Sequence, residues 1–551
     1  MELNTSKKVA VIIARLLAAH GVNDAVLSPG SRNAPLLVAF EREQGISTHV
    51  VIDERSAAFI GLGMSSVSGE AVALVCTSGT APLNYGPALA EAYYRQIPLI
   101  AITADRPAEW IDRDDSQTIR QPGIFSNFIK GTFDIDDEES PENIKRVNQL
   151  LNEAVLLAKT GVPGPVHVNV RFSEPLGSIE EAVLESIDNA RLETQYNDEI
   201  DIQEIVNEIN SGANTLIVCG FLPENNLSDP LLRLSRLQNV VVLHELQSNL
   251  HGNGAFINNI DATLSRLNTD CRPDLVISLG GALSSRRIKG YLRGLEDLKH
   301  WGVGKKPYIP DTFGHLTGYL NIDCGRVVEK LAESVSLAHF PDNQFKKDWI
   351  QASKNASRDI LALSQESDWC SFKAIGYILK HIPVEWNLQV SNGTAIRYAQ
   401  LFDCPVDGVV GCNRGVSGID GSTSTAIGAA VKSIKPTLLL TGDMSMQYDL
   451  GALGCTFIPP TFKIVVINNN GGGIFRLISS TKNLEELDRC FAADVRLPLE
   501  HLSEGFGFNY LSACNMEELK RGFEKMISHN DSPVIFEIKA NDLPLNIFDE
   551  F

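Results

Sequence analysis

The chain has 551 residues, 44% of them hydrophobic, with 68 acidic against 48 basic side chains and a formal charge of −20. This charge argues against general affinity for nucleic acid or anionic membranes, so an anionic ligand must be met by local arginines. The length predicts three or four domains. Ten cysteines stand singly, without a Cys-x-x-Cys pair, which predicts reduced thiols rather than zinc or redox chemistry.

The amino-terminal segment, residues 1–22, contains an apolar stretch that is too short to span a bilayer. Its spacing predicts an amphipathic helix that ends at Gly21. We therefore expect a cytoplasmic protein with neither a membrane nor a nucleic acid as its partner.

Short apolar runs alternate with helical segments from Val22 to Val170, a pattern typical of a parallel sheet covered by helices. The acidic stretch 134–143 resembles a disordered linker, but Ser140, Pro141 and Glu142 are typical of a helix start, and we favour a helix there. The runs are NDAVLSPG, THVVIDE, AVALVCTSG, IPLIAITADRP and PVHVNV.

Residues 173–200 turn polar and acidic, which indicates a boundary, and two further α/β sets follow it. The second set contains NTLIVCG, NVVVLHEL and PDLVISLGG. The third follows a charged helical region at 341–381 and contains NLQVSN, PTLLLTGD, FKIVVINNN and PVIFEIKAN. The sequence thus predicts an α/β protein of three successive open parallel-sheet domains, at 1–180, 181–345 and 346–551.

Two stretches of the third set, TLLLTGDMS and KIVVINNNGGG, each stop at oxygen-bearing side chains. The intervening segment 446–458 is long enough for a helix, which predicts a strand–helix–strand unit. Its parallel strands would bring Asp443 and Asn468–Asn470 to the sheet edge where open α/β proteins bind ligands. Carboxylate, amide and carbonyl oxygens suit a hard divalent cation that holds a phosphate. A buried strand pair with a polar turn explains these stretches equally well, so other segments must decide.

Three other segments carry candidate ligand groups. Glu54 follows the strand THVVI, either as a functional acid or as a solvated partner of Arg55. The turn at 77–80 has small residues that let a ligand approach the backbone. The stretch 413–430 is rich in glycine and serine, and free N–H groups there would suit a diphosphate.

In combination these segments resemble the thiamine-diphosphate enzymes, whose anchoring motif is Gly-Asp-X followed after a similar interval by Asn-Asn. The resemblance implies pyrimidine-binding, central and diphosphate-binding domains. It also implies that Glu54 hydrogen-bonds the aminopyrimidine ring and promotes the imino tautomer that removes the C2 proton, with a carboxyl pKa raised by burial.

The same resemblance supplies a cofactor and metal set. Ile419 would lie beneath the bent cofactor, and Asp443, Asn469 and Gly471 would bind Mg²⁺ or Mn²⁺. Met444 stands where the commoner form of the motif has glycine. The remaining implied cofactor-binding residues are Ser78, Gly79, Thr80, Ser417, Gly418, Gly442, Met444 and Ser445.

A further set of segments extends over nearly the whole chain: SPGSRNAPL, DERSAAF, TSGTA, TADRP, QTIRQPGIF, NRGVSGIDG, GDMSMQYDL and NNNGGGIF. Together they resemble a narrower group, the MenD family of menaquinone biosynthesis. The resemblance implies a transferase that decarboxylates 2-oxoglutarate and adds the succinyl carbanion to isochorismate by 1,4-addition, giving 2-succinyl-5-enolpyruvyl-6-hydroxy-3-cyclohexene-1-carboxylate and CO₂.

Arginines near predicted strand ends fit substrates with two carboxylates, since a guanidinium binds a carboxylate bidentately. The resemblance implies that Arg397 and Arg414 meet the succinyl carboxylate and that Ile474 and Phe475 form an apolar wall. It implies an isochorismate set of Ser31, Arg32, Arg106, Gln117, Arg286 and Arg287. The chain has Gly393 where the family can have a serine, Ser116 where the family has an asparagine and Arg286 where it has a lysine. Individual carboxylate contacts can therefore differ from those of the family.

Three alternatives stay open at this level. An acetolactate-synthase-like or oxalyl-type carboligase could hold FAD or ADP in its middle domain, but ISLGGALSSRR lacks Gly-x-Gly-x-x-Gly spacing. A non-catalytic protein that kept the fold would not need Glu54, Asp443 and Asn469 together. A nicotinamide dehydrogenase lacks its glycine fingerprint here. The family plan implies a homodimer at least, possibly a tetramer, with Glu54 and Asp443 of different chains sharing each site.

Overall fold

The computed structural model describes residues 3–181, 200–222, 227–252, 254–268, 270–336 and 343–541. The chain forms two compact units. The first takes the described residues of Met1–Gln195, Gly415–Ile434 and Tyr448–Pro459; the second takes those of Tyr196–Arg414, Lys435–Gln447 and Pro460–Phe551.

The strands, in chain order, are β1 Leu3–Thr5, β2 Asp24–Leu27, β3 Ser47–Val50, β4 Val72–Cys76, β5 Leu99–Asp105, β6 Thr132–Asp136, β7 Val166–Arg171, β8 Ile179–Glu181, β9 Thr215–Cys219, β10 Val240–His244, β11 Leu275–Leu279, β12 Lys299–Val303, β13 Leu316–Leu320, β14 Asn387–Val390, β15 Val410–Gly411, β16 Thr437–Gly442, β17 Phe462–Asn468, β18 Asn509–Ala513 and β19 Val534–Lys539.

The α-helices are α1 Lys8–Ala19, α2 Ala34–Glu41, α3 Glu54–Ser68, α4 Gly86–Arg95, α5 Pro141–Lys159, α6 Gln203–Asn210, α7 Ser228–Ser235, α8 Ile260–Leu264, α9 Arg286–Arg293, α10 Cys324–Ser334, α11 Gln344–Glu366, α12 Ser371–His381, α13 Thr394–Ala399, α14 Ser422–Lys432, α15 Asp443–Tyr448, α16 Ile474–Leu477, α17 Leu499–Gly505 and α18 Met516–Ser528. Short 3₁₀ helices cover Pro82–Tyr85, Ala108–Trp110, Leu246–Ser248 and Leu450–Gly454, and a π-helical turn covers Leu487–Ala492.

The first unit is built on a parallel sheet with the strand order β3-β2-β4-β5-β7-β6 in its described part, and β1 pairs with β8 as a separate antiparallel ribbon. The predicted helix start after the acidic stretch is confirmed, because α5 begins at Pro141 and Ser140 Oγ accepts the N–H of Asn143 at 3.3 Å. The acidic residues just before it form the edge strand β6, in which Phe133 and Ile135 point inward.

The second unit contains two parallel sheets in its described residues, one with the order β10-β9-β11-β12-β13 and the other with the order β15-β14-β16-β17-β19-β18. Neighbouring residues of one strand enter different cores: Ile217 of β9 packs with one cluster and Leu216 with another. Side chains alternate across a strand, so both faces of this sheet are buried. Buried apolar runs of this kind are what a parallel sheet under helices requires.

The prediction that a helix occupies residues 446–458 is wrong in the position of the helix. The chain enters α15 directly at Asp443, whose Oδ1 accepts the backbone N–H of Met444 at 2.7 Å. The helix ends at Tyr448, and a 3₁₀ helix follows. The parallel pairing that the prediction needed is present, since β16 and β17 are adjacent and parallel.

The described residues contain no helix with the length and apolarity needed to cross a bilayer. All ten cysteines lie in the described part of the chain and are free thiols, as the single spacing predicted. The domain boundaries proposed from the sequence stay predictions.

Candidate active site

Glu54 opens α3, just beyond the carboxyl end of β3 in the first unit. The preceding Asp53 caps this helix, since its Oδ1 accepts the N–H of Arg55 at 3.0 Å and its Oδ2 accepts Ser56 Oγ at 3.1 Å. The Glu54 carboxylate is half-buried and accepts a hydrogen bond from Asn84 Nδ2 at 3.3 Å. The cap fixes the start of the helix and therefore holds Glu54 at the sheet edge.

A turn with a left-handed glycine follows β4 at the same edge. Gly79 has φ of +83°, and its N–H donates to Gln121 Oε1 at 3.0 Å. A Cβ at this position would lie 3.3 Å from Gln117 Cα, so the absence of a side chain lets Gln117 lie against the turn. Among the described residues, the buried hydroxyls of Thr77 and Ser78 have no hydrogen-bond partner, and they are suited to contact a polar ligand.

Two arginines lie near one another in the first unit, each beside a carboxylate. Arg32 is buried; its Nη1 donates to the carbonyl of Phe172 at 3.0 Å, and its Nη2 lies 3.1 Å from Glu174 Oε1. Arg106 Nη1 lies 3.0 Å from Asp115 Oδ2. Burial lowers the pKa of the Arg32 guanidinium, and repulsion by Arg106 lowers it further. A substrate carboxylate would relieve this repulsion by binding between the two cations.

The segment that carries Ser417, Gly418 and Ile419 is anchored to α4. The Glu91 carboxylate is buried and accepts the backbone N–H groups of residues 415 and 416 at 2.8 and 2.7 Å. Ser417 adopts a left-handed φ of 63°. Glu91 therefore fixes the entry to the predicted diphosphate cradle. Four of the predicted residues are exposed on the surface of this unit: Ser31, Thr80, Gln117 and Ser417.

The helix after that segment, α14, packs closely against α3. A Cβ on Gly63 would lie 2.0 Å from the carbonyl oxygen of Thr425, and one on Gly428 would lie 2.0 Å from that of Ile60. Glycine at both positions allows the two backbones to touch. This contact sets the position of Ser417–Ile419 relative to the helix that begins at Glu54, within the first unit.

In the second unit, β16 and β17 end side by side, with Gly442 opposite Ile467. Asp443 is buried, and its Oδ2 accepts the N–H of Gly471 at 2.8 Å. Gly471 has φ of +144°, and a Cβ there would lie 2.3 Å from the carbonyl oxygen of Ala492, so only glycine fits. The residues predicted for the metal at the two strand ends are thus brought together at one sheet edge.

The three consecutive asparagines have different surroundings. Asn468 Nδ2 donates to Glu537 Oε1 at 2.6 Å, and its Oδ1 accepts the N–H of Asn470 at 3.1 Å. Asn468 therefore holds the strand end, which agrees with assigning the metal contact to its neighbour Asn469. Met444 lies close to the same loop, since a Cβ on Gly472 would be 3.0 Å from its sulfur.

Three of the predicted substrate arginines, Arg286, Arg287 and Arg397, line one cavity of about 400 Å³ in the second unit. Arg414 interacts electrostatically with Arg397, and its Nη1 donates to Asn392 Oδ1 at 2.9 Å. Burial lowers the pKa of Arg397, and repulsion by Arg286 lowers it further. The cavity thus concentrates positive charge in an acidic chain.

Two acids share this cavity with the arginines. Burial raises the pKa of Glu245 and of Asp261, while Arg414 opposes the shift at Glu245 and Arg287 opposes it at Asp261. The apolar part of the cavity lining comes from Ile260, Leu401, Leu477 and Ile478. The predicted wall residues lie one turn earlier on α16: the Phe475 ring packs against Phe491, with centroids 5.7 Å apart, and Ile474 is half-buried.

Comparison with known proteins extends this picture to the whole chain. Residues 7–124 match the family model described as "Thiamine pyrophosphate enzyme, N-terminal TPP binding domain". A 2-succinyl-5-enolpyruvyl-6-hydroxy-3-cyclohexene-1-carboxylate synthase of Porphyromonas gingivalis is 36% identical over 97% of this chain and 95% of its own. Synthases of the same name from Flavobacterium johnsoniae and Flavobacterium psychrophilum are 37% and 38% identical over 96% and 95% of this chain, and over 95% of their own lengths. The chain belongs to this synthase family.

Membership makes the chain an enzyme whose cofactor is thiamine diphosphate, and it sets aside the carboligase, dehydrogenase and non-catalytic alternatives. The parallel-sheet α/β fold expected from the sequence is confirmed.

The donor set at the β16–β17 edge of the synthase fits a divalent cation that bridges to a diphosphate. It offers one buried carboxylate, that of Asp443, and a neighbouring loop that carries the Asn469 amide and the three glycines at 471–473, and hard cations of this kind take oxygen ligands. No cluster of three or more His, Cys, Asp or Glu suited to a metal occurs among the described residues. A cation here would therefore draw its other ligands from amide, carbonyl and diphosphate oxygens.

Sequence reasoning missed the residues that support the synthase's candidate ligands. Glu91, Gln121 and Glu245 are buried and accept backbone N–H groups of loops that carry predicted site residues. Glu245 had a usable signal, because it lies at the carboxyl end of the apolar run NVVVLHEL and directly follows β10. Glu91 and Gln121 lie within a helix and a loop, where the sequence gives no such signal.

Proposed function

We propose that this synthase decarboxylates 2-oxoglutarate and joins the remaining four-carbon succinyl unit to isochorismate by 1,4-addition, in menaquinone biosynthesis. The products are CO₂ and the cyclohexene carboxylate for which its relatives are named. The observation that carries the proposal is the cavity lined by Arg286, Arg287 and Arg397. Both substrates are dianions, and a chain with a formal charge of −20 binds them only where cations are concentrated.

The arginines would divide the two substrates between them. Arg397 and Arg414 suit the terminal carboxylate of 2-oxoglutarate, and Arg286 and Arg287 suit a carboxylate of isochorismate, since each guanidinium can donate two parallel hydrogen bonds. Ser31, Arg32, Arg106 and Gln117 would also bind isochorismate, at its other carboxylate. Ile474 and Phe475, with the neighbouring Leu477 and Ile478, would exclude water from the reacting carbons, because water would quench the carbanion chemistry.

Bound thiamine diphosphate supplies the carbanion chemistry that decarboxylation and carbon–carbon bond formation require. Asp443, Asn469 and the Gly471 carbonyl would hold Mg²⁺ or Mn²⁺ on its diphosphate, with Gly442, Met444 and Ser445 beside it. Ser78–Thr80 and Ser417–Ile419 would line its other surfaces.

Glu54 would donate a hydrogen bond to, or accept one from, the aminopyrimidine ring and so control where its proton lies. Its half-buried position under the Asp53 cap supports this role, because a carboxyl group shielded from water exchanges a proton with a neutral ring more readily. Histidine has no part in the proposed proton transfers.

The protein would act as a homodimer or tetramer in the cytoplasm. In the dimer, Glu54 of one protomer and Asp443 of the other would hold opposite ends of one cofactor. Support comes from the family resemblance of both motifs and from ten free cysteines, which suit a reducing compartment.

The proposal is tested with purified protein, thiamine diphosphate, Mg²⁺, 2-oxoglutarate and isochorismate. Release of CO₂ together with a succinylated cyclohexene product is expected, and either substrate alone should give little product. Release of CO₂ from pyruvate but not from 2-oxoglutarate would overturn the substrate assignment.

A further inference from the structure

A fully buried polar segment lies beside the arginine cavity of the second unit. The residues from His244 to Leu250 are each at most 5% exposed, although the segment HELQSNL contains five polar side chains. It follows β10 and includes a 3₁₀ helix at Leu246–Ser248. Buried polar groups are retained only where they are satisfied by hydrogen bonds, so the partners of these side chains indicate what the segment does.

Glu245 is bonded to the residues that start α9. Its carboxylate accepts the backbone N–H of Ser284 at 2.8 and 2.7 Å and that of Ser285 at 2.7 Å. Ser285 in turn caps α9, since its Oγ accepts the N–H of Ile288 at 3.0 Å. The two helix residues after this cap are Arg286 and Arg287, so Glu245 fixes the turn from which both arginines enter the cavity.

Gln247 extends the connection to a second helix. Its Nε2 donates to the Glu245 carboxylate and to Ser284 Oγ, the latter at 2.8 Å. Its Oε1 accepts a hydrogen bond from Gln400 Nε2 at 3.1 Å. Gln400 directly follows α13, the helix that carries Arg397. One continuous chain of hydrogen bonds thus joins the start of α9 to the end of α13, the two helices that deliver arginines to the cavity.

We infer that Glu245 and Gln247, with Gln400, are positioning residues that hold the two arginine-bearing helices at the separation the two dicarboxylate substrates require. The role rests on the proposed function of the cavity. We expect it to affect substrate binding rather than cofactor binding, because the hydrogen bonds of these three side chains in the described part of the chain go to the two arginine-bearing helices and their turns. A displacement of about 1 Å at a binding group is enough to reduce catalysis by about 100-fold.

The test compares Glu245→Gln, which keeps the side-chain shape but removes the charge and one acceptor, with Gln400→Leu, which cuts only the link to α13. Glu245→Gln should raise the KM for isochorismate at least tenfold with a smaller change in kcat. Gln400→Leu should raise the KM for 2-oxoglutarate more than that for isochorismate. Binding of thiamine diphosphate with Mg²⁺, followed by quenching of tryptophan fluorescence, should stay within twofold of wild type in both variants.

Asn239→Ala provides the matched control. Asn239 is also fully buried, at the opposite end of β10, and its Nδ2 donates to the carbonyls of Ile209 and Ala213 at 2.9 Å. It should lower thermal stability without raising either KM. If Asn239→Ala raised the KM as much as Glu245→Gln, or if both test variants left KM unchanged, the positioning role would be wrong.

Arg286→Ala and Arg397→Ala separate this role from the function on which it rests. If these variants raise KM but Glu245→Gln and Gln400→Leu do not, only the positioning role is overturned. If the arginine variants also leave both KM values unchanged, the proposed use of the cavity fails, and the positioning role fails with it.

Discussion

Four buried carboxylates of the synthase accept hydrogen bonds from backbone N–H groups of segments that carry or adjoin candidate ligands. A carboxylate that accepts two or three N–H groups is stabilised in its charged form and orders the loop that donates them. Each carboxylate therefore acts on loop geometry as much as on charge. The four are Glu91 with residues 415 and 416, Glu245 with Ser284 and Ser285, Asp443 with Met444 and Gly471, and Asp449 with Ser424.

Glu54 differs from these four, since its carboxylate accepts a hydrogen bond from the side chain of Asn84 at 3.3 Å, and its proposed role is proton control. Glu54→Gln cannot take up or release that proton. We expect turnover to fall by about 100-fold or more, the usual contribution of a general acid–base group. Exchange of the C2 proton of bound thiamine diphosphate for deuterium, followed by quenched-flow NMR, should slow in parallel, while cofactor affinity changes little. Near-normal exchange in the variant would remove Glu54 from the mechanism.

Asp449 gives a pH-dependent prediction for stability. Burial raises the pKa of Asp449 to about 6. Hydrogen bonds from Ser424 and the positive charge of Arg55 lower this pKa, and repulsion by Asp53 raises it. Between about pH 4 and 6 the folded state binds a proton that the unfolded state has lost, so the contribution of Asp449 to stability declines as pH rises through this range. A shift of about two pKa units corresponds to about 3 kcal/mol.

Asp449→Asn removes this titration but keeps an acceptor for Ser424. The Tm of wild type minus that of the variant should therefore fall between pH 4 and 6 and level off above pH 7, as measured by differential scanning fluorimetry in buffers of equal ionic strength. A difference that rises with pH over the same range would show that Asp449 has a lowered pKa.

At the scale of elements, the contact between α3 and α14 joins two segments that carry candidate cofactor ligands. It depends on glycine, because Gly63 and Gly428 each lie too close to a facing carbonyl for any side chain. Overpacking of a close helix contact costs about 1–3 kcal/mol. The helices would have to separate, which moves Ser417–Ile419 away from the start of α3.

Gly63→Ala should therefore lower the Tm by several degrees and weaken binding of thiamine diphosphate in the same variant, both measured by thermal shift with and without cofactor. Gly86→Ala is the control: Gly86 begins α4 in the same unit, and a Cβ there meets nothing within 4 Å. It should be neutral or slightly stabilising. Equal losses in both variants would mean that the close contact is not what Gly63 provides.

The sequence predicted most strands of the three parallel sheets and missed several whose apolar pattern is short or interrupted. Runs such as TLLLTG and FKIVVIN became β16 and β17 with the expected parallel pairing. The interior strand β12 and the edge strands β6, β13, β15 and β18 were missed, because charged, glycine or half-exposed residues interrupt their apolar pattern or because the strand is only two residues long. Position within a sheet is a tertiary property, so the pattern of an edge strand alone does not reveal it.

The same limit applies to the candidate site. Asp443 and Glu54 stand at strand or helix junctions, and a strand end is visible in sequence. The convergence of Arg286 and Arg287 on α9 with Arg397 on α13 in one cavity depends on how two sheets pack within the second unit. The hydrogen bond from Gln400 to Gln247 spans 153 positions. Family resemblance grouped those arginines, whereas local pattern could not.

At the scale of the whole molecule, the candidate substrate set is rich in positive charge although the net charge of the chain is negative. The formal charge is −20, yet the candidate substrate set contains six arginines drawn from distant parts of the chain. A surface of one sign repels substrate dianions until they reach the local positive field, which makes binding sensitive to ionic strength. The proposed dimer would bring Glu54 and Asp443 of different protomers to each cofactor, so the arrangement of chains becomes part of the chemistry.

Mixing two inactive variants tests that arrangement. Glu54→Gln and Asp443→Asn should each be nearly inactive alone, the second because a buried metal ligand is lost and cofactor binding with it. If the two residues act from different protomers, a mixed dimer contains one site with both residues altered and one site with both intact. Random reassociation of equal amounts makes about half of the dimers mixed, so roughly one quarter of wild-type activity should return on co-refolding or co-expression, by symmetry of the dimer. Each variant refolded or expressed alone by the same procedure serves as a control and should stay inactive. Absence of any recovery, with mixed dimers demonstrated by differently tagged chains, would show that the two residues do not act from different protomers.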